Sequence, residues 1–345
     1  MKILYGVQGT GNGHISRASA MAEALQAHPA LEITWLLSGR ERDKGCGGIT
    51  TYEWREGLTF VTRDGRVRML DTWRKNNLRR FWRDVKELDL SNWDLVISDY
   101  EPVISHAARK QKVPVTGIGH QYAFRYPVPL RGENPAVKAL MRYYAPADLP
   151  IGLHWHHFGN PILPPIIDMQ VPATLPSVQS NKVIVYLPFE NLARIRELLQ
   201  PHTDFIFYIY HPDCQDQDEG NLHLRAISRL GFKQDLLTAE RVICNSGFEL
   251  VSECLTLGRQ ILTKPLQGQM EQLSNAASLE QLGYAQVIDR LDPAALRAWL
   301  HQHNPAPRMH YPKVAEALAS WIAAGCHESI ADMSARLWAE TRELA

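Results

Sequence analysis

The sequence is poor in cysteine, and none of its cysteines stands in a pairing pattern. Cys46, Cys214, Cys244, Cys254 and Cys326 are odd in number and form neither a CxxC nor a zinc-ligand spacing. That argues against a disulfide framework and predicts a reduced, cytoplasmic protein. Long apolar runs are missing too. No stretch approaches about 18 uninterrupted apolar residues, so nothing reads as membrane-spanning. The run Ile3–Val7 meets a glycine-rich loop at once and is too short for a secretory signal. Charge of one sign is also absent. Lys plus Arg and Asp plus Glu number 37 each, which leaves no global field to draw nucleic acid. There is no short-period repeat and no low-complexity tract. What remains is a soluble or at most peripheral chain of 345 residues, too long for one ordinary core.

The chain alternates strand and helix patterns, twice. Ile3–Val7, Leu31–Leu37, Asp94–Ser98 and Val113–Ile118 read as strands, with helices over 15–26 and 103–111. After Phe158-Gly-Asn-Pro a proline-spaced stretch runs to about Ser180 and suits a semi-rigid connector. The alternation then restarts. Strands are predicted at 182–187, 205–210, 241–244 and 261–263, with helices at 191–200, 248–257 and 270–282, and Asn191 as an N-cap. This predicts an α/β fold of two Rossmann-like units with parallel sheets covered on both faces. The expected division is 1–165, a connector 166–180, a second domain 181–310 and a helical tail 311–345 packing back on the first domain.

Gly9-Thr-Gly-Asn-Gly-His14 follows the first strand and opens the first helix. Gly11 and Gly13 allow close backbone approach, and the helix N-terminus offers free N–H donors. A dinucleotide fingerprint would need Gly or Ala where His14 stands, and the second strand ends Ser38-Gly39-Arg40, with no acidic residue at that end to hold a ribose, although an arginine there would suit a phosphorylated one. His14 is instead placed to abstract a proton, because the positive helix end favours a neutral imidazole. Helix capping by His14 is the alternative. Asn12 and Arg17 are further candidates for phosphate or acceptor contact. Asp99 ends a strand on the same crevice and is expected to orient His14, with Glu101 as the fallback. His120 and Gln121 follow another strand end and are candidate phosphate or acceptor contacts.

In the second half, Asn245-Ser-Gly-Phe-Glu-Leu-Val-Ser-Glu253 opens a helix. Ser246 and Glu249 have capping-box spacing. Gly247 lets a ligand approach the helix end, where a diphosphate would sit. Glu253 lies one turn beyond Glu249 on the same face. A well-capped helix and a ligand site both fit these residues.

This segment resembles the donor-binding signature of GT-B glycosyltransferases, in particular MurG and its relatives. Ser246, Gly247, Glu253, Pro265, Gln272, Asn275 and Ala276 match that pattern in order, Gly11-x-Gly13-His14 is similar to the family's glycine loop, and Gly159-Asn-Pro161 to its interdomain segment. The whole chain also resembles a family of predicted glycosyltransferases of archaea and bacteria, through Asp99-Tyr-Glu-Pro102, Tyr186-Leu-Pro-Phe-Glu190 and Gly268-Gln-Met-Glu-Gln272. The resemblance implies two Rossmann-like domains facing across a cleft. It implies transfer of a hexosyl or N-acetylhexosaminyl group from a UDP-sugar to a cell-envelope glycan or lipid-linked acceptor. Glu253 would bind ribose, and Glu271 and Gln272 the donor sugar. No cofactor and no metal are expected, since helix dipole and main-chain donors would stabilise the leaving diphosphate. The chain departs from MurG at Leu163, where an arginine is usual. Lys264, or the main chain at Phe189, Glu190 and Asn191, is the candidate to supply diphosphate contacts instead.

His154, His156 and His157 have poor metal-ligand spacing, and Asp216-Gln-Asp218 sits among other acidic residues as a solvated loop would. Between Arg63 and Lys86 nine Lys/Arg and three Asp interleave with Trp73, Phe81 and Trp82. This segment reads either as a peripheral contact with an anionic membrane or as a basic helix with its aromatics buried. The expected chemistry is inverting displacement with His14 as base and Asp99 as its partner. A sugar-nucleotide epimerase of the same fold and a non-catalytic nucleotide-sugar binding protein are the alternatives, with a nicotinamide oxidoreductase more distant.

Overall fold

Strand Lys2–Gln8 is buried at every residue after Lys2, as a central strand covered on both faces must be. The computed structural model describes residues 1–169, 172, 174–302 and 306–344. In it this strand lies parallel to and between Glu32–Ser38 and Leu95–Asp99. The six-stranded sheet runs Glu53–Trp54, Glu32–Ser38, Lys2–Gln8, Leu95–Asp99, Val115–Gly119, Leu149–Gly152, all parallel. The chain order reverses between Lys2–Gln8 and Leu95–Asp99. Their carboxyl ends therefore open a crevice at the switch point of a doubly wound sheet.

The second sheet has seven strands in the order Gln217–Glu219, Leu222–Arg225, Ile206–Tyr210, Gln179–Tyr186, Ala239–Cys244, Gln260–Thr263, Gln286–Val287. Its switch point falls between Gln179–Tyr186 and Ala239–Cys244. Only the edge strand Gln217–Glu219 is antiparallel, to Leu222–Arg225. Asp213 and Asp216 are exposed and outside any strand, as expected of the acidic stretch, but Asp218 stands in that edge strand and pairs with His223 and Arg225.

The two units meet along a buried aromatic seam. Trp155 is fully buried, its ring 5.0 Å from that of Phe248, and its Nε1 donates to Ser252 Oγ at 2.8 Å. A hairpin of the first unit, Thr62–Arg63 with Arg66–Val67, reaches the second, where Gly65 N donates to Phe189 O at 2.7 Å and Gln267 N to Gly65 O at 2.9 Å.

The tail forms helices as expected but is broken into two and ends in a strand. Helices Val314–Ala323 and Ile330–Glu340 are separated by Gly325 and Cys326, both at positive φ, and Arg342–Leu344 then pairs antiparallel with Arg308–His310. The first tail helix lies against helix Asn12–Gln26, burying Val314, Leu318 and Ile322. The second sends Ser334 Oγ and Trp338 Nε1 to the Ile162 carbonyl at 2.8 and 2.6 Å. Of the proline-rich connector, Gln170, Val171 and Ala173 lie outside the described residues. Asp168 before them is held by Arg229 and Lys233.

Candidate active site

Three helices turn their N-termini to the cleft without a side-chain cap. Gly11, Gly247 and Gln269 stand at the N-cap positions of Asn12–Gln26, Phe248–Leu257 and Met270–Leu282, and none bonds its helix through a side chain. Elsewhere Asn77, Glu101, Asn134, Asn191, Ser228, Asp292 and Ser329 all do. Among the described residues, Met69–Lys75 and Val314–Ala323 share the lack of a cap. Free N–H groups at three helix ends give the cleft positive potential. The capping box expected of Ser246 and Glu249 does not form. Ser246 Oγ pairs with Thr263 Oγ1 at 2.9 Å, and Glu249 reaches across the cleft to Arg17.

The first helix starts at Asn12, so His14 lies in its first turn, opposite the end of strand Leu95–Asp99. His14 Nδ1 is 2.7 Å from Asp99 Oδ1. On the other side of the ring, Gln121 Nε2 is 3.4 Å from His14 Nε2 and donates to Glu271 Oε2 at 3.2 Å. Glu271 thus decides which end of the Gln121 amide faces the ring. The tautomer protonated at Nδ1 matches the acceptor-only carboxylate of Asp99 there and the Gln121 amide N–H at Nε2, against the donor-only Arg17 Nη2, which also stands 2.8 Å from Nδ1. That tautomer leaves Nε2 as the basic nitrogen on the cleft side. Asp99 is fully buried, which would raise its carboxyl, but the guanidinium of Arg17 and then His14 outweigh burial and hold it below the usual range.

The other sequence-derived residues divide between cleft and scaffold. Glu253 is buried, with Lys233 Nζ 3.7 Å from its Oε1, and burial pushes its carboxyl up to about 8 despite Lys233. Glu271 faces Gln121 in the cleft. Gln272 accepts from Leu266 N at 2.9 Å and so shapes the loop before its own helix. Asn12 bridges to the second unit through Tyr186 Oη at 3.0 Å. Gly11 and Gly247 have open space where a Cβ would stand, whereas a Cβ on Gly13 would collide with the Glu249 carboxylate.

Several expectations are corrected. His120 is fully buried, stacked on Phe248 at 3.9 Å between centroids, with Nδ1 at Leu153 O (2.8 Å) and Nε2 at Asn275 Oδ1 (2.6 Å). It joins the two units rather than facing an acceptor. Lys264 is already neutralised by Glu190 at 2.6 Å, so its charge is not free for a diphosphate. Of the main-chain donors at 189–191, Glu190 N bonds Leu187 O at 3.1 Å, whereas the Phe189 carbonyl accepts from Gly65 N and the Asn191 side chain caps helix Leu192–Leu199, neither of which engages the N–H groups expected at a diphosphate. Glu101 caps helix Pro102–Gln111 and accepts from Ser38 Oγ, away from His14, with burial raising its carboxyl to about 7. His154, His156 and His157 each accept a main-chain N–H through Nδ1. Of the basic segment, Phe81 is buried, but Trp73 and Trp82 are 71% and 54% exposed. The buried-aromatics reading therefore holds for Phe81 alone.

Sequence reasoning missed the cross-cleft role of Glu249 and the place of Lys233 beside Glu253. Neither stands in a motif with its partner. The only signal was Glu249 on the same helical face as Glu253.

No curated protein matches the sequence. Among solved structures, the glycosyltransferase SsfS6 of Streptomyces sp. SF2575, complexed with thymidine diphosphate, superposes with a TM-score of 0.59 at 13% identity, covering 98% of this chain and 99% of that one. SnogD of Streptomyces nogalater gives 0.54 at 15% identity over 98% and 99%. MurG of Acinetobacter baumannii gives 0.51 at 16% identity over 97% and 99%. These likenesses establish the GT-B fold, two Rossmann-like domains. The family model described as glycosyl transferase family 1 matches residues 1–303, the span that carries both crevices and every cleft residue above. The chain belongs to glycosyl transferase family 1 and is a glycosyltransferase of the GT-B type.

Proposed function

We propose that this enzyme transfers a hexosyl or N-acetylhexosaminyl group from a pyrimidine nucleoside diphosphate sugar to a glycan or lipid-linked acceptor, with inversion and without a metal. The observation that carries the reading is the His14–Asp99 pair facing uncapped helix ends across one cleft. His14 Nε2 takes the acceptor hydroxyl proton while Asp99 stabilises the imidazolium. The acceptor oxygen bonds to the anomeric carbon from the face opposite the diphosphate. The carbon–oxygen bond to the diphosphate breaks, and the leaving group keeps the electron pair. The helix ends at Gly11 and Gly247 stabilise the charge that develops on it. Glu253 accepts the ribose hydroxyls and Glu271 contacts the donor sugar. Among the described residues, four buried side-chain carbonyls, Gln8 Oε1, Gln121 Oε1, Asn245 Oδ1 and Gln269 Oε1, have no donor. A ligand rich in hydroxyls satisfies acceptors of that kind.

UDP is the nucleotide that the resemblance favours. The SsfS6 and spinosyn rhamnosyltransferase SpnG structures, which hold thymidine diphosphate, make dTDP the second choice. Met69, Leu70, Trp73 and Trp82 are exposed within the run that holds nine basic residues, and this supports peripheral contact with an anionic membrane bearing a lipid-linked acceptor. No helix among the described residues is long and apolar enough to cross a membrane.

Thermal stabilisation by UDP, dTDP, GDP, CMP, NAD and their sugar conjugates tests the donor site, because a ligand of the folded state raises its apparent stability. Stabilisation by UDP or dTDP that disappears in Glu253→Ala is the expected result. Stabilisation by NAD alone would overturn the transferase reading.

A further inference from the structure

Arg17 lies one turn beyond His14 on the first helix and is only 1% exposed. A guanidinium so deeply buried must be fully partnered, or its desolvation goes uncompensated. Its partners come from both domains. Nε donates to Asp99 Oδ2 at 2.8 Å and Nη2 to Asp99 Oδ1, a bidentate clasp on the carboxylate that orients His14. Nη2 also stands 2.8 Å from His14 Nδ1. Nη1 donates to Oε1 of Glu249, in the first turn of the helix that opens the second-domain motif. The fit is specific, since Gly13 lacks the Cβ that would exclude the Glu249 carboxylate.

We propose that Arg17 and Glu249 are a positioning pair that couples closure of the cleft to activation of the His14–Asp99 base, an inference that rests on the transfer reaction above. Arg17 and Glu249 stand on opposite sides of the cleft, so separating the domains breaks their contact. With the cleft open, Arg17 faces Asp99 alone, and the two charges cancel. Closure brings a second carboxylate onto the same guanidinium. One cation then serves two anions, and the surplus negative charge beside the ring stabilises the imidazolium that forms when His14 takes the acceptor proton. The charged and titratable groups around the ring are Asp99, Arg17 and Glu249, with Glu271 behind Gln121 and Tyr5 beneath Asp99. Of the two carboxylates on Arg17, Glu249 is the one carried by the opposite domain. Clasping Asp99 from behind also fixes its rotamer, so the helix bearing Glu249 registers closure directly at the base.

The test compares full-length wild type with Glu249→Gln, Glu249→Asp and Arg17→Lys. Small-angle scattering without ligand should show Glu249→Gln to be more extended than wild type. Equal radii would overturn the proposal whether or not the transferase reading stands. With UDP as the binding probe, and UDP release from the UDP-sugar that best stabilises wild type as the rate probe, Glu249→Gln should keep the UDP affinity. It should lose turnover by about 10- to 100-fold, as misplacement of catalytic groups does. Glu249→Asp, which keeps the charge, should recover part of that loss. Tighter UDP binding with undiminished turnover would overturn the proposal, because Glu249 would then be a carboxylate occupying the diphosphate's place. Wild type that binds no UDP would count against the donor reading alone and would leave the scattering comparison to decide the pair.

Discussion

Trp155 Nε1 donates to Ser252 Oγ at 2.8 Å, joining two fully buried residues 97 positions apart. Ser252 immediately precedes Glu253 on helix Phe248–Leu257, and its hydroxyl also bonds Phe248 O at 2.7 Å. The indole therefore fixes the rotation of the helix that presents Glu249 and Glu253 to the cleft. Trp155→Ala removes the packing against Phe248 together with this bond. It should cost about 3–5 kcal/mol, read as a lower midpoint in denaturant unfolding. UDP affinity should fall as well, even though Trp155 touches no cleft ligand. A variant that loses stability but keeps full UDP affinity would separate the seam from the site.

His14→Ala should lower turnover by about 100- to 10,000-fold, the usual contribution of a positioned base, with the affinity for nucleotide retained. Asp99→Asn should reduce turnover in the same direction, since it removes the charge that stabilises the imidazolium. Steady-state kinetics with the preferred donor, set beside calorimetric binding, separates the two parameters. Unchanged turnover in His14→Ala would assign the base elsewhere.

Glu253 should also make stability depend on pH. Burial raises its folded-state value to about 8 from an ordinary 4.5. Between those limits the folded state binds more protons than the unfolded one, so stability falls as pH rises. The contribution is fully present below about 4.5 and is lost as pH rises through about 8. Glu253→Gln, which stays neutral, should abolish that part of the slope. Melting temperatures of wild type and variant measured from pH 5 to 9 should diverge by several degrees at the alkaline end, with the variant the more stable. Parallel curves would mean that Glu253 is ionised throughout.

Trp73→Ser with Trp82→Ser should leave the melting temperature unchanged, because both rings are more than half exposed. If this face meets a membrane, the double variant should lose about tenfold or more in binding to phosphatidylglycerol vesicles, the scale of withdrawing one or two aromatic rings from an apolar phase. Equal binding by wild type and variant would remove the membrane role from this segment.

Sequence alone determined what depends on residues close together in the chain. The two rounds of strand and helix follow from local periodicity, and helices Phe248–Leu257 and Met270–Leu282 run over the predicted ranges. The glycine loop, the Ser246–Gly247 helix start and the family likeness were legible for the same reason, since each is a short run with its own chemistry. Tertiary structure decided everything that pairs across the cleft. Arg17 meets Glu249 across 232 residues, Gln121 meets Glu271 across 150 and His120 meets Asn275 across 155. The capping box failed on this account: its spacing was correct, but a buried guanidinium in the other domain holds Glu249 more strongly than a neutral helix N–H can. His120 was misplaced for a related reason, because a strand-end histidine looks alike in sequence whether it faces solvent or the other domain. Local pattern sets which residues share a helix or a strand end. Which of them meet is set by how two separately wound sheets pack together, and no single stretch of the chain encodes that.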